Sequence, residues 1–347
     1  MNYRSSIAIL PGHIAAVLAV VFLTGHVAAA AEPSALIEAV RNGDLAGVTK
    51  LARDKRDVNT ARADGDTALH WAAHLDGREA ANILTKAGAN VNARNGAGAT
   101  PLWLAADNGS ATMVSRLLQA GADPKAALPS GETALMAASR AGSVAAVQLL
   151  LRRGADPNAA ENWRSQTALM WAASHRHPDV VAALIEGHAD IHARTKEWYE
   201  LTNPSGDADG SSVMWVLQGG FTPLMFAARE GDLESTRRLL AGGADVNDAA
   251  ASGASALVIA LYSWQRGVAL LLLEHNPHPN AAAAGYAPIH VAVLQNDVAF
   301  VKELLRRRAD PNVTLERPAG VRRASGELAI RPALVGATPL WLAARLG

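Results

Sequence analysis

The sequence has no cysteine. Disulfide bridges, a thiol nucleophile and thiolate metal sites are therefore excluded, and packing must hold the fold. It also lacks an excess of charge of either sign, since 32 basic residues balance 32 acidic ones. A nucleic-acid surface carries a clustered basic excess, so this balance gives that partner class no support. No apolar run approaches the roughly twenty residues a spanning helix needs. Catalytic signatures are missing as well: there is no Gly-rich phosphate loop with a lysine, no H-E-x-x-H and no G-x-S-x-G. No catalytic residue and no cofactor is assigned, and the chain reads as a non-enzyme.

The first thirty-one residues differ in kind from the rest. Arg4 is their only charge; an apolar run, Ile14 to Leu23, follows, and then HVAAAAE. A basic start, a short apolar stretch and an A-x-A site predict a secretory signal peptide over 1–31, cut near Ala30 or Ala31. Pro11, Gly12 and His13 keep the run from extending backwards into a membrane anchor. The expected location is the periplasm or the medium, with no stable membrane insertion after cleavage.

With 50% of its 347 residues apolar, the chain can bury a sizeable core. What it carries most plainly is a repeated phrase, T-[PA]-L-x-x-A-A. Copies open at Thr67, Thr100, Thr133, Thr167, Thr222 and Thr338, with weaker ones at Ser34, Ser255 and Ala287. The spacing is roughly thirty-three residues, lengthened twice. The Thr hydroxyl suits a helix N-cap, and the following Pro suits the first helical position, where no N–H is needed. Gly109, Gly142 or Gly231 ends that short helix in the left-handed conformation. A second helix follows with paired apolar residues, as in Met113 to Leu118 and Val144 to Leu151, and closes on GADP, GADV or GANV.

This pattern resembles the ankyrin repeat, in which helix, turn, helix and a protruding hairpin-like loop recur at that period. The resemblance covers Ser34 to Gly347 and implies an all-α solenoid of eight two-helix units plus a C-terminal half unit. The domain runs over 32–347. An N-terminal cap spans 32–64, with charge from Lys50 to Asp57, and repeats span 65–313 with an insertion at 195–220. A second insertion spans 314–336, and the half repeat spans 337–347. End units of a solenoid need polar outer faces. The closing half unit shows an apolar opening in place of one, so we expect the chain to be part of a longer protein. An alternative function follows from that expectation: the array as recognition arm of a larger enzyme or electron-transfer protein.

Metal and ligand readings are weak. His70 and His290 stand where the resemblance implies structural hydrogen bonding. His175 with His177, and His188 with His192, have metal-compatible spacings, but the pairs fall at opposite ends of their unit's helix pair. Asp207 and Asp209 open like a calcium loop but lack the closing Glu, Gln218 standing there instead. No metal is assigned.

The resemblance implies that loop tips and the exposed side of the first helices form one concave surface that binds a protein partner, the array acting as a monomer. Candidate protein-binding residues at those variable positions are Asp107, Arg140, Trp163, Arg164, Glu230, Tyr262 and Tyr286. Trp163 and Arg164 lead, since Trp, Tyr and Arg are enriched at binding hot spots. Trp71, Trp171 and Phe226 occupy the position before Ala-Ala, usually a core Leu, and are expected to pack between repeats. The first insertion adds Trp198, Tyr199 and Trp215, large aromatics that argue against plain disorder. The second is locally basic, with Arg317, Arg322, Arg323 and Arg331.

Overall fold

The computed structural model describes residues 34–53, 57–202, 214–317 and 334–346. The signal peptide expected at 1–31, Asp207 with Asp209, and Arg322, Arg323 and Arg331 lie outside the described residues.

Seventeen helices follow one another among the described residues. The first helices of successive units are α1 (Ala35–Arg41), α3 (Ala68–His74), α5 (Pro101–Asp107), α7 (Ala134–Arg140), α9 (Ala168–Ser174), α11 (Pro223–Glu230), α13 (Ala256–Tyr262), α15 (Pro288–Leu294) and α17 (Pro339–Leu346). The second helices are α2 (Leu45–Ala52), α4 (Arg78–Lys86), α6 (Ala111–Gln119), α8 (Val144–Arg152), α10 (Pro178–Glu186), α12 (Leu233–Ala241), α14 (Arg266–Glu274) and α16 (Val298–Arg306). Each first helix packs on the first helix of the next unit, and the second helices from α2 to α14 do likewise. One apolar cluster consequently runs from Leu36 to Leu342. No unit of this size could bury such a face alone; the neighbour supplies the other half of the core.

The repeated phrase works much as its chemistry predicts. Thr100 and Thr133 accept from the backbone N–H of Trp103 and Met136, at 3.2 and 3.3 Å. Thr167 and Thr222 depart from it: their buried hydroxyls find no hydrogen-bond partner, so there the helix start is held by packing and by Pro223 at the first position of α11. Gly109, Gly142 and Gly231 all take positive φ at the end of the first helix. Asp76, Arg176 and Trp264 adopt the same left-handed conformation in other units, a strain these units carry because their helices are fixed on both sides.

Two sets of bonds stitch adjacent units outside the core. Along the closing turns, an Asn side chain of one unit accepts from a backbone N–H of the next. Asn59 takes Asn90 N–H at 2.7 Å, Asn92 takes Asp123 at 2.8 Å, and Asn158 takes Asp190 at 2.7 Å. Asn247 and Asn280 repeat the contact with His278 and Asp310, each at 2.7 Å. Lys125 and His192 occupy the same place in two further turns and, among the described residues, make no such contact. At Lys125 a cavity of about 470 Å³ opens instead, lined by Pro124, Lys125, Asp156 and Pro157.

Along the protruding loops, backbone bonds join tip to tip. Gly96 donates to Asp64 at 2.7 Å, Asn162 to Ser130 at 2.7 Å, Lys196 to Arg164 at 2.8 Å and Ala251 to Gly219 at 3.0 Å.

The first insertion adds a pair of strands to the helical solenoid. It forms an antiparallel hairpin, β1 (Trp198–Thr202) and β2 (Met214–Gln218), with Tyr199 opposite Leu217 and Leu201 opposite Trp215. The sequences WYELT and MWVLQ are β-branched, aromatic and period-two in part, a strand signal. Gly219 and Gly220 end it, both at positive φ. A Cβ on Gly219 would collide with the Lys196 carbonyl, and one on Gly220 would press on the Ala251 amide, so the hairpin base closes only on glycine.

Candidate functional site

The exposed loop between the fourth and fifth units is built around a buried carboxylate. Glu161 accepts from the backbone N–H of Trp163 at 2.6 Å, Arg164 at 2.7 Å and Gln166 at 3.0 Å. A single side chain thus fixes the tip, and Ser165 turns it with φ 56°. Trp163 is left 78% exposed on an ordered backbone. Arg164 reaches the other way and lies over the Trp198 ring, its guanidinium carbon 4.4 Å from the centroid. This cation–π contact joins the tip to the base of the hairpin.

Side chains alternate along strands, so Tyr199 and Leu201 share a face with their partners Leu217 and Trp215. That face turns outward. Tyr199 is 68% exposed, Trp215 65% and Leu201 54%. Four large apolar side chains on one strand pair, three of them mostly in water, are unusual enough to signal contact with another molecule.

On the first helices the charged candidates are tied to each other. Arg140 on α7 bonds Asp107 of the preceding unit and Glu132, both at 2.6 Å, and its guanidinium stands 5.3 Å from the Trp171 ring centroid. Burial pushes the Glu132 carboxyl above its usual range, against the opposing pull of Arg140. Glu230 pairs with its neighbour Arg229 at 2.9 Å. Trp71 and Trp171 pack against the core but stay partly exposed, whereas Phe226 is buried.

Two candidates are not on the surface. Tyr262 and Tyr286 are 6% and 5% exposed, with ring centroids 6.0 Å apart. Each comes from a position that is normally outward, but the rings of adjacent units turn toward one another and bury themselves. Burial raises the Tyr286 phenol well above its ordinary value. Both belong to the core.

The histidines are structural where their bonds are seen. His70 Nδ1 accepts from the Thr67 N–H at 3.1 Å, which leaves Nε2 to donate to Ala99 of the next unit at 3.0 Å. His290 repeats this with Ala287 and Val313. Burial lowers both imidazoles below the ordinary value of 6.5. His175 and His177 stack 6.3 Å apart, with His177 Nε2 2.9 Å from the Arg140 carbonyl oxygen. Among the described residues, no three His, Asp or Glu side chains converge as a metal site.

Sequence reasoning missed Glu161, Leu201 and Leu217. The apolar pair was detectable from period-two alternation in the insertion; Glu161 carried no pattern of its own, because its role depends on the fold of the six residues around it.

Stacked helix pairs, a neighbour-to-neighbour core and a row of joined loops define a tandem-repeat solenoid that presents side chains along one edge. Known proteins place it further. The family model for ankyrin repeats in blocks of three copies matches residues 13–95, 36–127, 102–195, 207–283 and 224–315. The chain belongs to the ankyrin-repeat family. Over 55 residues it is 38% identical to the mouse protein "Ankyrin repeat and MYND domain-containing protein 1" and 36% identical to the human one. That stretch is 16% of this chain and 6% of either relative, so the chain matches a small part of their length. Among solved structures, the human ASB11 ankyrin repeat domain is similar with 27% identity and a TM-score of 0.56, covering 69% of this chain and 98% of that one.

Proposed function

We propose that this array is a non-catalytic scaffold that holds a protein partner along its first-helix face and on its lengthened loops, as a monomer. Ankyrin-repeat arrays are in general protein-interaction scaffolds. The observation that carries the finer reading is the placement of Trp163, Tyr199 and Trp215, each more than half exposed on a backbone fixed by Glu161 and by the glycine-closed hairpin base. Rigid exposed aromatics bind with little ordering cost. Excising Glu197 to Gln218 from the full chain should keep the helical circular dichroism and reduce partner capture from the native compartment. Undiminished capture, both by that variant and by one carrying Trp163→Ala, would sink the proposal.

Export is part of the same reading, motivated by Arg4, the apolar run from Ile14 to Leu23 and the small residues before Glu32. Amino-terminal sequencing of the chain recovered from its producing cell tests it: a start near Ala31 or Glu32 supports export, and a start at Met1 opposes it.

A further inference from the structure

Among the described residues one edge of the hairpin has no strand paired to it, and its surroundings describe what would fit there. Lys196, two residues before β1, donates its backbone N–H to the Arg164 carbonyl of the neighbouring tip at 2.8 Å. Successive backbone N–H groups along a strand point to opposite sides, so those of Trp198 and Glu200 point the same way as that of Lys196. Thr195 agrees with this parity: its N–H points inward, donating to Phe221 on the far limb at 3.0 Å. The neighbouring loop turns back at Ser165, and β1 runs on past it. The edge therefore begins with one backbone bond to Arg164 and continues with no described strand beside it.

We infer that β1 is the docking edge for an extended segment of the protein partner, added as a third, strand-paired limb above the Trp163 tip. The inference rests on the proposed scaffold function and names the partner's conformation and chemistry. Main-chain hydrogen bonds to Trp198 and Glu200 supply the pairing, as in other cases of strand addition to a sheet edge. Alternate side chains of the incoming strand fall on the Tyr199–Leu201–Trp215 face, which demands apolar residues. The intervening residue falls beside Glu200. This carboxylate is exposed and has no ion pair among the described residues, so it favours a lysine or arginine opposite, the stabilising cross-strand combination. The occupant is thus an extended apolar–basic–apolar segment.

A second copy of this chain fits less well. Four apolar side chains and a five-residue edge fall far below the roughly 1,200 Å² a stable interface buries in total. Open edges in proteins are shielded by a proline, a bulge, a covering element, short length or charge; the described part of β1 has no proline or bulge, and its only charge is Glu200.

The test uses the full chain and a defined probe, the blocked pentapeptide Thr-Val-Lys-Val-Thr, titrated into ¹⁵N-labelled protein. Saturable shifts at the Trp198 and Glu200 amides, with slowed hydrogen exchange there, are expected. Glu200→Pro removes the outward N–H at an edge position where proline is tolerated by the hairpin itself, and should abolish those shifts. Glu200→Gln keeps the N–H and should weaken binding several-fold. In an antiparallel pairing the lysine opposite Glu200 is the residue that exchanges backbone bonds with it, so the same peptide N-methylated at that lysine should not bind. Absence of saturable shifts, or equal binding by Glu200→Pro or by the N-methylated peptide, overturns the inference. Capture of the natural partner separates it from the scaffold reading. Loss of capture on excising the hairpin with none on Glu200→Pro would retain the scaffold and reject strand addition.

Discussion

Arg140 crosses from its own repeat to the one before it and meets Asp107 at 2.6 Å, while its second nitrogen holds Glu132 at the same distance. All three side chains are at most about a third exposed, so these bonds are partly shielded from water. Arg140→Ala leaves two carboxylates facing each other without their cation. We expect a loss of about 1.5–3 kcal/mol, the range for hydrogen bonds to charged groups. Urea unfolding of the single variants and of Arg140→Ala with Glu132→Ala checks it: a double loss equal to the sum of the single losses would show that the pair is uncoupled.

Stability should fall on acidification. His70 and His290 have imidazoles lowered below 6.5 by burial, and each ring accepts a backbone N–H at Nδ1 that a proton would displace. The folded state binds protons less readily than the unfolded one, so the contribution is fully present above 6.5 and is lost as pH falls from there toward the folded values. Urea midpoints at about pH 7.5 and about pH 5.5 measure it, and His70→Ala should flatten the difference while lowering both. A flat profile in the parent chain would contradict the account.

Glu161→Ala should free the tip. Three backbone N–H groups lose one acceptor, and removing a buried hydrogen-bonding group costs about 1–3 kcal/mol. Hydrogen exchange at Trp163, Arg164 and Gln166 should accelerate, with helical amides unchanged. Glu161→Gln keeps one acceptor oxygen and should fall between the two.

Lys125→Asn should strengthen the array. The substitution places a carboxamide where Asn92 and Asn158 already bond the turn ahead of them. One further net hydrogen bond is worth about 0.5–1.5 kcal/mol. A raised urea midpoint with unchanged slope is the expected readout; an unchanged midpoint would show that the Lys125 turn cannot reach Asp156.

The repeat was legible because each of its residues acts locally. Thr100 caps its own helix, Gly142 ends its own helix, and each requirement recurs every unit until chance is excluded. The second insertion and the amino-terminal run fall largely outside the described residues, so the sequence reading stands there alone. Tyr262 and Tyr286 were misplaced for a specific reason. The phrase assigns positions to inside and outside on the assumption that neighbouring units match, and two tyrosines from adjacent units meeting ring to ring break that assumption. Glu161 was invisible for the complementary reason, since three donors from a tip closed by one left-handed residue create its role. In the hairpin, the aromatic residues were marked as important and alternation could have paired Tyr199 with Leu201, but the cross-strand partners Leu217 and Trp215 follow only from the register.

The hairpin is fastened at its base on both flanks, to Arg164 of one neighbour and Ala251 of the other. It is therefore anchored across three successive loops, and because units of a solenoid contact only their neighbours, a pull on the hairpin falls first on the units that flank it.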